Sequence, residues 1–150
     1  MASEKISLDQ LNPEELANLH QQLKTEIDSL LQNAVALQQS ANMFAKAGQA
    51  VEGLQALEAG RTMLIPLTES LYVTGTLETV ETVLLEIGTG YYIERTTAEG
   101  IDFCKRKVLL VRDQTEQLSK LVQSRQAALQ QVTGLLEEYE AQAAAPETAA

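Results

Sequence analysis

The chain contains no tryptophan, one cysteine, one histidine, three prolines and six aromatic residues, four Tyr and two Phe, among its 150 positions. A single cysteine, Cys104, cannot close an internal disulfide. A single histidine, His20, excludes a multi-histidine metal site and reads as a solvent-facing helix residue. Basic residues are also scarce, 11 Lys plus Arg against 21 Asp plus Glu. Phosphate backbones are held by basic surfaces, so nucleic acid is excluded as an expected partner. No run of about 18 apolar residues is present to span a bilayer, and no apolar signal region stands out. We therefore expect no membrane partner and a cytoplasmic location, with a nuclear one left open. Ala, Leu, Gln and Glu dominate instead, a composition that favours long helices over compact aromatic cores. The length suits one ordinary domain or one extended coiled-coil unit.

Periodicity supports the second choice. Asn12 as N-cap, Pro13 at the first helical position and Glu14 and Glu15 in the first turn mark a helix start; Ser7 with Gln10 offers an earlier but less favoured one. Apolar or small residues then recur at Leu16, Leu19, Leu23, Ile27, Leu30, Ala34, Leu37, Ala41, Phe44, Gly48, Val51 and Leu54. Their steps of three and four, close to a heptad repeat with an eleven-residue step near the start, define a coiled-coil seam, and Gly60 predicts the end of the helix. A second start is Thr96 with Glu99, a capping box. It leads into Ile101, Cys104, Val108, Val111, Thr115, Leu118, Val122, Arg125, Leu129, Val132, Leu136 and Tyr139. Thr115 and Arg125 are the polar exceptions, a type that sets register. Two helices of about 45 residues, each on the order of 70 Å long, predict an antiparallel pair whose chain ends meet at a distal tip.

Residues 62–95 hold no helical period and are rich in Val, Ile, Leu, Thr and Tyr between turn residues, the pattern of short strands. We expect four strands, Met63–Leu67, Ser70–Thr74, Thr82–Ile87 and Tyr91–Arg95, forming two hairpins linked by Gly75–Glu81. Pro66 cannot donate to a ladder and belongs at an edge or bend. Gly88-Thr89-Gly90 invites comparison with phosphate-binding loops. The third glycine and following helix of a dinucleotide fingerprint are missing, and no Gly-Lys-Ser/Thr follows. A hairpin turn with a left-handed or bulged glycine is the better reading.

Such a β region is incomplete alone, because two-stranded ribbons are marginal in water and leave unpaired edges. Val83, Leu85 and Ile87 should share one face and Leu84 with Glu86 the other, while Tyr91 and Ile93 oppose Tyr92. Leu71, Tyr72, Val73, Val83, Leu85, Ile87, Tyr91, Tyr92 and Ile93 are thus candidate residues of an assembly hub, closed into a β-barrel with other subunits. Apolar positions also continue toward the chain ends, at Leu8, Leu11, Leu16 and Leu19, and at Leu129, Val132, Leu135, Leu136 and Tyr139. The expected organisation is an N-terminal segment (1–12), a coiled-coil helix (13–60), two hairpins (61–95), a second coiled-coil helix (96–143) and a disordered tail (144–150). The fold class is mainly α with a small β region.

Catalysis finds no support. Cys104 lies on the seam and reads as a small hydrophobe rather than a thiol activated by Lys105 and Lys107. Glu14, Glu15, Glu137, Glu138 and Glu140 sit at helix ends or on solvated faces with no pocketed pair. Lys105, Arg106 and Lys107 read as a solvated face pairing with acidic residues. No metal or cofactor is expected.

The segments IPLTESLYVTGTL, VLLEIGTGYYIERT and FCKRKVLLV, set between two long helices, resemble the alpha class of prefoldin subunits over about residues 5–140. Thr74 departs from the proline that the resemblance would place before Gly75 in a turn. The resemblance implies a hexameric, ATP-independent co-chaperone of two alpha-class and four beta-class subunits. Its hairpins would form a double β-barrel, and its coiled-coil tips would hold unfolded proteins, notably nascent actin and tubulin, for the cytosolic group II chaperonin. Leu16, Leu19, Leu129, Val132 and Leu136 then become candidate client contacts. A structural coiled-coil adaptor without affinity for unfolded protein is the alternative.

Overall fold

The structure, a computed structural model, describes residues 11–144. Ser7, Leu8 and Gln10, most of the N-terminal segment and the tail after Ala144 lie outside the described residues. The element order is α1 (Pro13–Gln55), β1 (Thr62–Pro66), β2 (Tyr72–Thr76), β3 (Thr82–Gly88), β4 (Tyr91–Thr96) and α2 (Thr97–Ala144). Two long helices thus flank a small β region of two antiparallel hairpins, β1–β2 and β3–β4.

Both helices begin where their capping residues place them. The Glu15 amide donates to Asn12 Oδ1 at 2.8 Å while the Asn12 amide donates to Glu15 Oε2 at 3.0 Å. At α2 the Glu99 amide donates to Thr96 Oγ1 at 3.2 Å and the Thr96 amide to Glu99 Oε2 at 3.0 Å. Each reciprocal box satisfies two otherwise orphaned donors, and loss of such a cap typically costs about 0.5–2 kcal/mol. α1 stops at Gln55, short of the expected residue 60. Past Gly53 the chain tightens, with Ala56 N–H donating to Gly53 O and Leu57 N–H to Leu54 O, bonds three residues apart that close a helix end. Gly60 follows at φ +85°, a conformation that favours glycine.

The chain forms two compact units, to which both helices contribute. The terminal unit comprises the described residues up to Leu37 and from Gln114; the hairpin unit is Gln38–Asp113. In the terminal unit Pro13 and Ala17 lie beside Leu136 and Tyr139, Glu26 meets Arg125, and Ala36 and Leu37 lie beside Gln117 and Leu118. The helices therefore run antiparallel there. In the hairpin unit Gly48 faces Cys104, and Gln55 reaches Thr97, again antiparallel. Every seam position named from periodicity, in both helices, is buried or half-buried. The core is this seam. Arg125, one of its polar members, donates from Nε to Glu26 Oε1 at 2.7 Å.

The strands follow the expected order with two local differences. β2 begins at Tyr72 and includes Gly75 and Thr76, paired with Met63 and Thr62, so the link between hairpins is 77–81. The turn occupies Leu67–Leu71 instead: the amides of Leu67 and Thr68 donate to Leu71 O, and the Leu71 amide to Thr68 Oγ1. Thr74 pairs with Leu64 within the strand, where a β-branched residue fits and a proline turn is not required. The Ile65 side chain lies over Gly75, and a Cβ there would push its end aside.

Candidate assembly and client surfaces

In the hairpin unit, β3–β4 is seated on the helices and β1–β2 is not. Val83, Leu85 and Ile93 are half-buried, and Leu85 pairs with Ile93 across the ladder. Beneath them lies Gly100, in the first turns of α2. A Cβ there would stand 2.9 Å from Val83 Cγ2 and 3.8 Å from both Leu85 Cδ2 and Val51 Cγ1. Glycine permits this close approach. The neighbouring Thr97 is the one buried polar residue among those described, at 7% exposure. Its hydroxyl accepts from Gln55 Nε2 at 3.0 Å, and its amide donates to Glu81 O at 2.9 Å. The end of α1, the start of α2 and the entry to β3 are thus joined at one residue. Neither Gly100 nor Thr97 was singled out by sequence reasoning; a glycine just inside a capped helix start was the available signal.

The alternation expected for β3 fails at its end. A bulge between Glu86 and Gly88 leaves Ile87 without a ladder partner, with Tyr92 opposite Glu86 and Tyr91 opposite Gly88. An extra residue shifts the pleat, so Ile87 does not continue the half-buried row of Val83 and Leu85 and is 55% exposed. The turn that follows has Gly88, Thr89 and Gly90 all at positive φ, 126°, 47° and 77°. This is a strand-joining turn, as its residues predict, and not the mouth of a nucleotide site.

The remaining hub candidates lie open. Leu71, Tyr72, Val73, Tyr91 and Tyr92 are exposed, and so are Met63, Leu64, Ile65, Leu67 and Leu84, which sequence reasoning left out. Each sheet has only two strands, so each strand keeps one unpaired edge. Large apolar side chains beside open ladder edges are the physical signature of a surface that another chain covers.

The terminal unit behaves differently. Leu16 at 0% and Val132 at 1% exposure form, with Leu23, the centre of its apolar cluster; Leu11, Leu19, Ala128, Leu129, Leu135, Leu136 and Tyr139 pack around them. This corrects the candidate client contacts. Leu16 and Val132 are core residues with no side-chain surface to offer in this conformation, because Leu11 and Tyr139 extend the packing beyond them. Leu19, Leu129 and Leu136 keep part of their surface. His20 is half-buried rather than solvent-facing.

Cys104 is buried against Gly48, and burial pushes its thiol up from the ordinary value. A raised thiol is a poor nucleophile at neutral pH, consistent with a packing role. The basic run has separate local partners: Lys105 lies 3.9 Å from Glu52, Arg106 donates to Asp102 at 2.8 Å, and Lys107 sits 5.5 Å from the Phe103 ring centroid. Lys120 donates to Glu116 and holds that exposed carboxyl below the usual range. Among the described residues no cluster of His, Cys, Asp or Glu is arranged to hold a metal ion, and no helix is long and apolar enough to cross a membrane.

Comparison with known proteins agrees with this architecture. Residues 23–146 match the prefoldin subunit family, and the chain belongs to that family, which is of chaperone type. Among its relatives, prefoldin subunit 5 of Homo sapiens is 33% identical over 134 residues, covering 89% of this chain and 87% of the human one. Prefoldin subunit 5 of Arabidopsis thaliana is 37% identical over 115 residues, covering 77% and 73%. The probable prefoldin subunit 5 of Dictyostelium discoideum is 32% identical over 129 residues, covering 86% and 80%.

Proposed function

We propose that the chain is an alpha-class subunit of a hexameric co-chaperone. Its hairpins join those of other alpha- and beta-class subunits in a closed β-barrel platform, and its coiled coil presents unfolded or nascent proteins, of the actin and tubulin class, to the cytosolic group II chaperonin. The work is cytoplasmic and needs no ATP, cofactor or bond-making chemistry. The observation that carries this reading is the exposed apolar surface of the hairpins beside unpaired strand edges, which barrel closure would bury. Leu19, Leu129 and Leu136, with the partly buried Leu135 and Tyr139, are the client-facing set. Several arms each offering a weak apolar contact retain an unfolded segment through their summed effective concentration and release it when a competitor binds.

The test is light scattering from a denaturant-unfolded substrate diluted into the purified hexamer. Suppressed scattering at stoichiometric hexamer is expected. Unchanged scattering from an intact hexamer would point to the alternative, a structural adaptor without holdase activity.

A further inference from the structure

The terminal unit carries a groove of ≈ 560 Å³, lined by Pro13 and Ala17 of α1 and by Leu136, Tyr139, Glu140 and Ala143 of α2. Its walls are apolar, apart from the Glu140 carboxylate and an amide side chain. Among the described residues of the two helix ends that flank it, the formal charges have one sign. Between Leu11 and Leu23 and between Gln126 and Ala144 the chain has five carboxylates, Glu14, Glu15, Glu137, Glu138 and Glu140, and no Lys or Arg. Glu15 is engaged in the α1 cap. Glu14 lies three residues from Ala17 and Glu137 three from Glu140, so helical spacing sets each beside a groove residue. The last described turn of α2 has no basic residue.

An apolar side chain gains by entering such a groove, and a cation beside it gains from the surrounding carboxylates. An acidic neighbour would be repelled. We infer that this groove, acting within the client capture proposed above and resting on that reading, selects unfolded segments in which a large apolar side chain is flanked by Lys or Arg. Acidic segments are disfavoured there.

The experiment uses the assembled hexamer and three fluorescent peptides with one shared apolar core, flanked by Lys, Ser or Glu, read by anisotropy. The Lys-flanked peptide should bind about five- to tenfold tighter than the Ser-flanked one, the sum of a few exposed charge pairs, and the Glu-flanked peptide more weakly than either. About 0.5 M salt should erase the difference, because exposed charges are screened over a few ångströms there. A hexamer carrying Glu14→Gln, Glu137→Gln and Glu140→Gln in this chain alone should lose the preference, and the corresponding Lys triple variant should reverse it. Ala17→Trp, which fills the groove, should weaken the Lys-flanked peptide as strongly as the Gln triple variant does. Equal binding of all three peptides, or retained preference in the Gln variant, would overturn the charge selection while leaving client capture in place. Undiminished Lys-peptide binding by Ala17→Trp would equally overturn it, since the carboxylates would then act without the groove. Failure of every peptide to bind an intact hexamer would instead strike the capture reading itself.

Discussion

The two units of the chain differ in how much of their apolar surface they cover: the terminal unit leaves Leu31, Val35 and Leu121 exposed, the hairpin unit far more. The terminal unit encloses Leu16, Leu23 and Val132 and covers them with a second layer that ends in Leu11 and Tyr139. The hairpin unit turns Met63, Leu64, Ile65, Leu67, Leu71, Tyr72, Val73, Leu84, Ile87, Tyr91 and Tyr92 toward water. Surface that would be an aggregation hazard on a monomer becomes an obligatory interface when the strands beside it have open edges. One region thus gathers its end residues into a core beside a groove, while the other leaves apolar side chains next to open strand edges.

The largest test of this contrast is to spoil each surface separately. Tyr91→Asp with Ile93→Asp puts two carboxylates on the β4 strand and should abolish incorporation into the hexamer. Leu135→Ser with Tyr139→Ser should leave the hexamer intact and lower client capture. Size-exclusion chromatography of the co-expressed subunits decides; a hexamer formed by the strand variant would contradict barrel closure.

A smaller contrast compares two glycines of α2. Gly100→Ala meets Val83 Cγ2, the end of a stiff β-branched side chain. Overpacking costs about 1–3 kcal/mol, only partly offset by the gain of about 0.8–1 kcal/mol in helix propensity. Gly134→Ala meets nothing within 4 Å, so it keeps the propensity gain and should stabilise by about 0.5–1 kcal/mol. Thermal unfolding of the assembled complex should therefore shift down for the first and up for the second. A common sign would mean that the hairpin does not rest on Gly100 as described.

The smallest effect concerns Cys104. Its thiol is raised by burial, so the folded chain resists forming the thiolate that the unfolded chain forms more readily. Stability should be unaffected below the ordinary thiol range and decline as pH climbs into and past it. Cys104→Ala should flatten that decline. Labelling with a thiol reagent at neutral pH should be slow in the native complex and fast in denaturant; rapid native labelling would show the seam open at Gly48.

Much of this architecture is written locally. Asn12 with Glu15 and Thr96 with Glu99 announce their helices through side chains three residues apart, and steps of three and four mark the seam from Leu16 to Leu54 and from Ile101 to Tyr139. Positions that depend on distant partners are less legible. The bulge at Ile87 follows from how β3 and β4 register around Gly88-Thr89-Gly90, and a strict period of two cannot anticipate it. The β2 strand moves by two residues because the turn before it takes up Leu67–Leu71, longer than the step from Leu67 to Ser70 that the sequence suggests. Leu16 and Val132 fall on the seam by their spacing, but how completely they are enclosed depends on Leu11 and Tyr139 packing against their cluster, which spacing does not show. Gly100 has a glycine's sequence and a keystone's position, visible once Val83 is set above it.

The two hairpins are unequally seated. With β3–β4 anchored through Gly100 and Thr97, that ribbon presents a fixed template, its open edge and exposed tyrosines already aimed. The β1–β2 ribbon is tied to its flanks by the Gly60 amide donating to Leu77 O and the Leu77 amide donating to Arg61 O, and it carries its apolar residues uncovered on both sides. The two ribbons thus differ in support: one rests on the helices beneath it, the other holds its place by its own ladder and the bonds at its ends.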